Sequence, residues 1–447
     1  MIKFGTDGWR GLMGKEFNSK NVRKVAQAIS SYLGEEKRIV VGYDTRRNSL
    51  KFAREVCGVL EANEIESFLT ARETPTPVLA FSVSNYSFDG GVMITASHNS
   101  PNYNGIKFIP QYAGPATEDI TKAIEEKIGP QVKYEKVEPS LIDPMKDYLE
   151  HVKGLIDFDA IRRGNLKVVL DPMHGTGGEY LFRLFEIGCE VRMLNLEKDE
   201  NFGGRNPDPT EENLGELKKA VKGDAQFGVA TDGDADRVAL IDGCGVYLNP
   251  NQIFAILLDY LALRGGAVVK TLATTDLVNE IAKRHNLELF EVPVGFKYVS
   301  EIMRNHQVLI GGEESGGFSF KGHIPEKDGI LTSCFLLEAS AKGEKTPYEL
   351  YSEVERKYGK RFSKRIGVPL EDSKRFSNLK IPGFVSGLKV LKLDRRDGIK
   401  ICLKDSWLLL RPSGTENLLR IYGEAKDEDT LNKLLSWGLN FAEKVIS

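Results

Sequence analysis

Cysteine is scarce in this 447-residue chain, and its placement excludes two protein classes at once. Cys57, Cys189, Cys244, Cys334 and Cys402 are odd in number, lie more than fifty residues apart and never form a CxxC pair. Neither a disulfide framework nor a zinc knuckle is expected. An excess of one charge is also missing, because 61 Lys+Arg stand against 64 Asp+Glu for a formal net charge of −3. That argues against a nucleic-acid or membrane-surface partner, while leaving room for a local basic cleft that takes a small anion. The longest greasy stretch, Ile253 to Leu263, is too short to span a bilayer. Met1 to Gly8 lacks a basic region followed by an apolar run, so a cytoplasmic location is expected. With 41% apolar residues and about 100–200 residues per domain, the chain should form two to four domains and bind a small molecule.

What is present is an alternation of helical and strand periods. Val22, Val25, Ala26, Ile29 and Leu33 recur at helical spacing behind Asn18 and Ser19, and Ile39 to Val41 then reads as a buried strand. A helix through Phe52, Ala53, Val56, Val59 and Leu60 follows, then strands at Ile65 to Leu69 and Gly91 to Thr95. Parallel sheet is the natural reading. The alternation restarts at Leu166 to Leu170, after a charged, proline-containing stretch from Glu135 to Asp159 that reads as a linker. It restarts again with a helix (Ile253 to Leu263), a strand (Ala267 to Thr271), a helix (Asp276 to His285) and a strand (Val308 to Ile310). From Arg361 short strands dominate, including Ile399 to Leu403 and Trp407 to Leu410, and a helix from Asp429 to Ile446 ends the chain. The expectation is α/β: three similar mixed α/β domains, at 1–150, 151–248 and 249–362, plus a C-terminal α+β domain at 363–447.

In each α/β unit a strand runs out into a polar loop, and open sheets bind ligands at such strand ends. Asp232, Asp234 and Asp236 alternate with small residues, so in an extended segment all three would face one side. Three hard oxygen ligands suit Mg²⁺, and without a cation they would repel one another. An EF-hand is disfavoured by Arg237 at loop position six and Gly243 at position twelve. Ser97, after the strand ending at Thr95, lacks the glycines of a hydrolase elbow. It reads as a phosphate-carrying serine or, equally, as a turn cap beside a structural His98. Glu313, Glu314 and Ser315, between Gly312 and Gly316, could accept sugar hydroxyls or face a helix dipole. Arg411, Ser413, Gly414 and Thr415 read as a phosphate cradle or an ordinary turn. Arg10, Arg46 and Lys297 are further basic candidates, each individually compatible with a solvated surface charge.

Taken together and in order, these motifs resemble the α-D-phosphohexomutase superfamily of phosphoglucomutases, phosphomannomutases and phosphoglucosamine mutases. The resemblance runs through Phe4 to Gly11, Gly42 to Arg46, Thr95 to Lys107, Asp232 to Arg237, Gly312 to Gly317 and Arg411 to Thr415. It implies four domains around a central cleft, and an intramolecular phosphotransferase that moves phosphate between C1 and C6 of a hexose through a bound 1,6-bisphosphate. The implied catalytic set is Ser97, His98, Lys107, Arg10 and Arg237, with Ser97 bearing the phosphoryl group and Lys107 moving the hydroxyl proton. Asp232, Asp234 and Asp236, with Ser97, would hold Mg²⁺. Glu313, Ser315 and Lys297 would bind the sugar, and Arg411, Ser413, Gly414 and Thr415 its non-reacting phosphate.

Glu314 and Gly317 look more like phosphoglucomutase loops than the Gln or Met followed by His of the relatives. Glucose 1-phosphate and glucose 6-phosphate are thus the expected pair, with glucose 1,6-bisphosphate as activator; mannose or glucosamine phosphates are the alternative. A phosphatase using an aspartate of the 232–236 loop would leave Ser97 without a role, and a degenerate, non-catalytic sugar-phosphate binder should have lost these residues. The expected assembly is a monomer or homodimer.

Overall fold

A computed structural model describes residues 2–5, 7–370, 379–413 and 418–446. The first unit contains β1 (Trp9–Leu12), α1 (Ser19–Leu33), β2 (Arg38–Tyr43), α2 (Ser49–Glu61), β3 (Glu66–Thr70), α3 (Thr76–Asn85), β4 (Gly90–Ile94), β5 (Tyr103–Pro110), α4 (Glu118–Glu125), β6 (Ser140–Ile142) and α5 (Met145–Leu155). Its sheet has the order β1-β5-β4-β2-β3-β6. The Glu135 to Asp159 stretch, read from its charges as a linker, instead supplies the edge strand β6 and the helix α5, whose Met145, Tyr148, Leu149 and Val152 are buried at helical spacing.

The second unit holds α6 (Phe158–Gly164), β7 (Lys167–Asp171), α7 (Gly178–Phe185), β8 (Glu190–Met193), α8 (Gly215–Val221), β9 (Phe227–Thr231), β10 (Val238–Asp242) and β11 (Tyr247–Leu248), in the order β11-β10-β9-β7-β8. The third holds α9 (Pro250–Leu261), β12 (Ala267–Thr271), α10 (Leu277–Arg284), β13 (Leu289–Val292), α11 (Phe296–Asn305), β14 (Val308–Gly312), β15 (Phe318–Phe320), α12 (Gly329–Gly343) and α13 (Pro347–Tyr358), with sheet order β13-β12-β14-β15.

These sheets are mixed, and one structural habit explains why. In each unit the strand that enters the functional loop (β4, β9 or β14) is parallel to its inner neighbour, while the strand that leaves it (β5, β10 or β15) returns antiparallel. The returning strands were missed in sequence because they are short or buried on both faces and show no clean alternation. Each functional loop is therefore the turn of a hairpin whose two arms are locked by ladder hydrogen bonds.

A continuous apolar core runs through the first three units, drawing on Tyr148 of α5, Leu181 of α7, Leu257 of α9 and Leu331 of α12. The helix α12 is apolar around most of its circumference and is buried from Gly329 to Ala341, as expected of a helix enclosed by neighbours. The last unit packs separately. It contains β16 (Phe362–Pro369), β17 (Phe384–Val385), β18 (Leu388–Lys389), β19 (Lys392–Asp394), β20 (Ile399–Leu403), β21 (Ser406–Pro412), β22 (Leu418–Ala425) and α14 (Glu428–Ile446). Its own core includes Leu408, Ile421 and Leu434, and a small apolar cluster of Leu272, Ala273, Trp407, Leu409 and Tyr422 joins it to the third unit. Among the described residues no helix is long and apolar enough to cross a membrane.

The start of α12 is pressed against the 232–237 loop: the Gly329 N–H donates to the Ala235 carbonyl at 3.0 Å. A Cβ on Gly329 would lie 2.5 Å from the Arg237 carbonyl oxygen. Gly329→Ala should therefore cost about 1–3 kcal/mol of stability through forced backbone shifts. Gly383→Ala, where a Cβ meets nothing within 4 Å, should change little. Urea unfolding of both variants checks this.

Candidate functional site

The three hairpin loops converge on a buried cluster of charge. Asp232, Asp234 and Asp236 each offer an oxygen within 4.8 Å of the others. Their convergence is not that of an extended strand: Ala235 is left-handed at φ 56° and donates its N–H to the Asp232 carbonyl, so a turn folds the carboxylates together. Lys107 of β5 inserts its ammonium among them, 2.9 Å from Asp234, from Asp236 and from Asp7. Lys327, just before α12, reaches Asp236 at 3.3 Å and Asp7 at 3.4 Å.

The electrostatics follow from this crowding. Burial opposes the charge on Lys107, yet Asp234, Asp236 and Asp7 raise its pKa, so its proton is held tightly. Burial would push Asp7 and Asp234 up, but Lys107 above all holds both carboxyls well below the usual range. Asp232 is the exception: burial first, and then Asp236 and Asp234, raise it well above the ordinary value. The Oδ1 atoms of Asp234 and Asp236 are buried without a hydrogen-bond partner. Three converging hard carboxylates, two of them with an unpaired buried oxygen, fit a small divalent cation such as Mg²⁺.

Ser97 stands at the edge of this cluster, its Oγ donating to Asp232 at 2.7 Å and lying 3.3 Å from His98 Nδ1. Its backbone is left-handed at φ 51°, a conformation disfavoured for serine that the surroundings must enforce. Arg46 enforces it. Its Nε donates to Asp44, one terminal nitrogen donates to the carbonyls of Ser100 and Tyr103, and the other to those of Ser97 and Asn99. All five guanidinium donors are thereby used. Asp44 in turn accepts from Thr95 Oγ1, which accepts from the Ser97 N–H. Burial first, then Arg237, Arg10 and Lys107, lower the His98 pKa well below its usual value, so the ring beside Ser97 is neutral.

Arg10 donates to Asn99 Oδ1 and lies 3.9 Å from Asp7. Arg237 contacts Asp208 at 3.7 Å and Asp236 at 3.9 Å, and its Nε is buried without a hydrogen-bond partner. Beside it, Ser315 Oγ donates to Glu313 at 2.5 Å. Burial and then Glu314 raise the Glu313 pKa. A cavity of about 710 Å³ opens here, lined among others by Arg237, Glu314, Ser315, Arg365 and Tyr422.

The last unit closes the far side. Residues 407, 409 and 411 on β21 and 420, 422 and 424 on β22 alternate onto one sheet face, and Arg411 pairs directly with Arg420. Like charges directly opposite one another on a sheet are destabilising unless compensated. The Arg411 Nε donates to Asp397 at 2.6 Å, and Asp397 also accepts the Val294 N–H of the third unit. Lys297, in the first turn of α11, is 3.8 Å from Glu118.

Comparison with known proteins matches the whole length. Family descriptions for Phosphoglucomutase/phosphomannomutase cover alpha/beta/alpha domain I at residues 1–135, domain II at 146–245, domain III at 249–358 and the C-terminal domain at 349–436. The chain belongs to the phosphoglucomutase/phosphomannomutase family. It is 34% identical to a phosphoglucomutase/phosphomannomutase of Thermococcus kodakarensis, covering 99% of both chains. It is 30% identical to a phosphoglucosamine/phosphogalactosamine mutase of Sulfurisphaera tokodaii, over 97% of each. A solved Thermus thermophilus structure named for phosphomannomutase superposes with TM-score 0.89 at 33% identity, covering 99% of both chains. As a member of this family the protein is a mutase of the α-D-phosphohexomutase superfamily, an intramolecular phosphotransferase.

Within this mutase the structure gathers Ser97, His98, Lys107, Arg10, Arg237 and the three aspartates at one centre, with Glu313 and Ser315 next to Arg237. Arg411 and Lys297 lie farther out, on the Asp397 and Glu118 contacts. Gly414 and Thr415 fall outside the described residues. Three residues escaped the sequence reading, and a fourth was read there in another role. Arg46, read there as a basic residue beside a turn, is a buried clamp. Asp7 and Lys327 bridge units, signalled only by Thr6-Asp7-Gly8 and Glu326-Lys327-Asp328-Gly329. Arg420 needed the β21–β22 register.

Removing Arg46 leaves Asp44 buried without its charge partner, which typically costs about 3–5 kcal/mol. Arg46→Met should lose stability on that scale in urea unfolding. Arg46→Lys should retain more stability yet lose at least about tenfold in kcat, because a point charge cannot bind four carbonyls as the planar fork does.

Proposed function

We propose that the enzyme interconverts α-D-glucose 1-phosphate and glucose 6-phosphate through phosphorylated Ser97. The observation that carries the reading is the Ser97 hydroxyl bonded to Asp232 inside a cluster of three aspartates and several cations. Phosphorylated Ser97 hands its phosphoryl group to the free hydroxyl of the sugar phosphate: the bond to the Ser97 oxygen breaks, the new O–P bond forms, and the hydroxyl proton ends on Ser97, giving glucose 1,6-bisphosphate. That intermediate turns around and returns the other phosphate to Ser97.

Lys107, Lys327, Arg10 and Arg237 surround the transferring oxygens and offset their charge. Lys107, whose proton its three carboxylates hold, suits that electrostatic role better than proton transfer. Asp232, Asp234 and Asp236, with the Ser97 oxygen beside them, would hold Mg²⁺, which when bound supplies further charge stabilisation for phosphoryl transfer. Glu313 and Ser315 accept and donate to the sugar hydroxyls. Arg411, Ser413, Gly414 and Thr415, with Arg420 opposite Arg411, take the non-reacting phosphate. Lys297, near enough to Arg411 for their charges to repel, is proposed to bind the substrate with them.

The preference for glucose is supported at position 317. A Cβ on Gly317 would lie 2.3 Å from Lys327 Cδ, so the lysine stem fills the space that a histidine would need. Phosphoglucosamine mutases among the relatives favour the alternative sugar. The four-domain division at 150, 248 and 362 is proposed with this reading, as is a cytoplasmic monomer or homodimer with its five cysteines free.

Two measurements check the proposal. The kcat/KM should be highest for glucose 1-phosphate when glucose, mannose and glucosamine 1-phosphates are compared with Mg²⁺ and a trace of glucose 1,6-bisphosphate; a higher value for either other sugar would reassign the substrate. Arg411→Ala removes a charge-assisted contact worth about 1.5–3 kcal/mol, so kcat/KM should fall about ten- to hundredfold for the 1-phosphate and the 6-phosphate alike. Loss in one direction only would show that the two half-reactions use different phosphate sites.

A further inference from the structure

Lys327 and Asp328 are neighbours in sequence, but their side chains have different destinations. Lys327 runs over Gly317 to the reaction centre, where it meets Asp7 of the first unit and Asp236 of the second. Asp328 is fully buried and gathers donors from elsewhere. Its Oδ1 accepts the Leu331 N–H and so caps α12, which would be a sufficient role for an ordinary N-cap. Its Oδ2 does more: it accepts the Tyr148 hydroxyl at 2.7 Å and lies 2.9 Å from His323 Nε2. The other ring nitrogen of His323, Nδ1, lies 2.9 Å from His151 Nε2.

Tyr148 and His151 share one face of α5, the helix that leaves the unit carrying Ser97. The ring of Phe81 in α3 packs 5.0 Å from His151 and 5.7 Å from Tyr148. The contacts form one continuous hydrogen-bonded chain. Asp328 Oδ2 accepts from the His323 Nε2–H, and the His323 Nδ1···His151 Nε2 contact takes its proton from either ring. Burial first pushes the His151 pKa down, to about 4. The chain ties α5 to Asp328, the residue next to Lys327, and so anchors the backbone from which Lys327 extends.

We propose that Tyr148, His151, His323 and Asp328 are positioning residues for Lys327, tying the lysine of the third unit to the helix that follows the phosphoserine unit. The inference rests on the mutase reading above. The network holds the Lys327 ammonium at the reacting centre, and none of its four side chains hydrogen-bonds Glu313 or Ser315, so its loss should appear chiefly in kcat, with KM little changed.

The test is a double-mutant cycle on the full-length enzyme with Mg²⁺ and glucose 1-phosphate. His323→Leu should lower kcat about ten- to hundredfold and Tyr148→Phe about three- to tenfold, with KM changed by less than about twofold. His323→Gln, whose amide nitrogen replaces Nε2, should stay within about threefold of the parent. In a Lys327→Met background, His323→Leu and Tyr148→Phe should each change kcat by less than about twofold, because the group they position is gone. If His323→Leu does not fold, the Tyr148→Phe arm carries the same comparison. Equal fold-losses in both backgrounds, or unchanged kcat in the single variants, would overturn the positioning role while leaving the mutase reading intact. A parent enzyme without turnover would overturn the mutase reading and this inference with it.

Discussion

The structure depends on one electrostatic constraint: Asp232, Asp234 and Asp236 are buried within a single turn, and their own unit does not neutralise them. The first unit brings Lys107 and Arg10, together with Asp7, and the third brings Lys327 and Glu326. Glu326 itself is raised to about 7, by burial first and against the pull of Lys327. Buried charge left unpaired costs several kcal/mol, so no unit's share of this cluster is stable alone. Closing the units around the aspartates and building the reaction centre are therefore the same event. The continuous core that α12 threads through all three units serves that closure.

The scaffold explains how loops of such different chemistry come to face one another. Each is the turn of a hairpin in which a strand parallel to its neighbour is followed by an antiparallel return. The register of both arms fixes where the turn points. The last unit obeys another logic. It has its own core, and it meets the third unit through a small apolar cluster and through polar links such as Lys400 to Glu291 at 3.0 Å and the Asp276 N–H to Glu424. The proposed phosphate site thus stands on a separately packed body opposite a rigid centre, an arrangement suited to receiving either end of a sugar phosphate.

Much of this was legible in the sequence where local pattern governs. The helix behind Asn18, the buried strand at Ile39 to Val41 and the loops after β4, β9 and β14 follow from periodicity and punctuation. What was illegible depends on pairing across distance. Val238 to Asp242 reads as a strand only once β9 lies beside it, and β6 only once β3 does. Arg46 resembled a surface charge because nothing local reveals the four carbonyls that fold around it. The three aspartates were legible as a ligand set, but their convergence through a left-handed Ala235, in place of an extended segment, was not. Lys327 lies ten residues beyond Gly317, and only the fold shows that the glycine at one position makes room for the lysine at the other.

The central claim is that Ser97 carries a phosphoryl group destined for a sugar. Enzyme bearing radiolabelled phosphate on Ser97, mixed in a single turnover with unlabelled glucose 1-phosphate, tests it most directly. The account predicts that the label leaves the protein, passes through glucose 1,6-bisphosphate and ends in glucose 6-phosphate. Label released as inorganic phosphate, or retained on the protein while product accumulates, would contradict it.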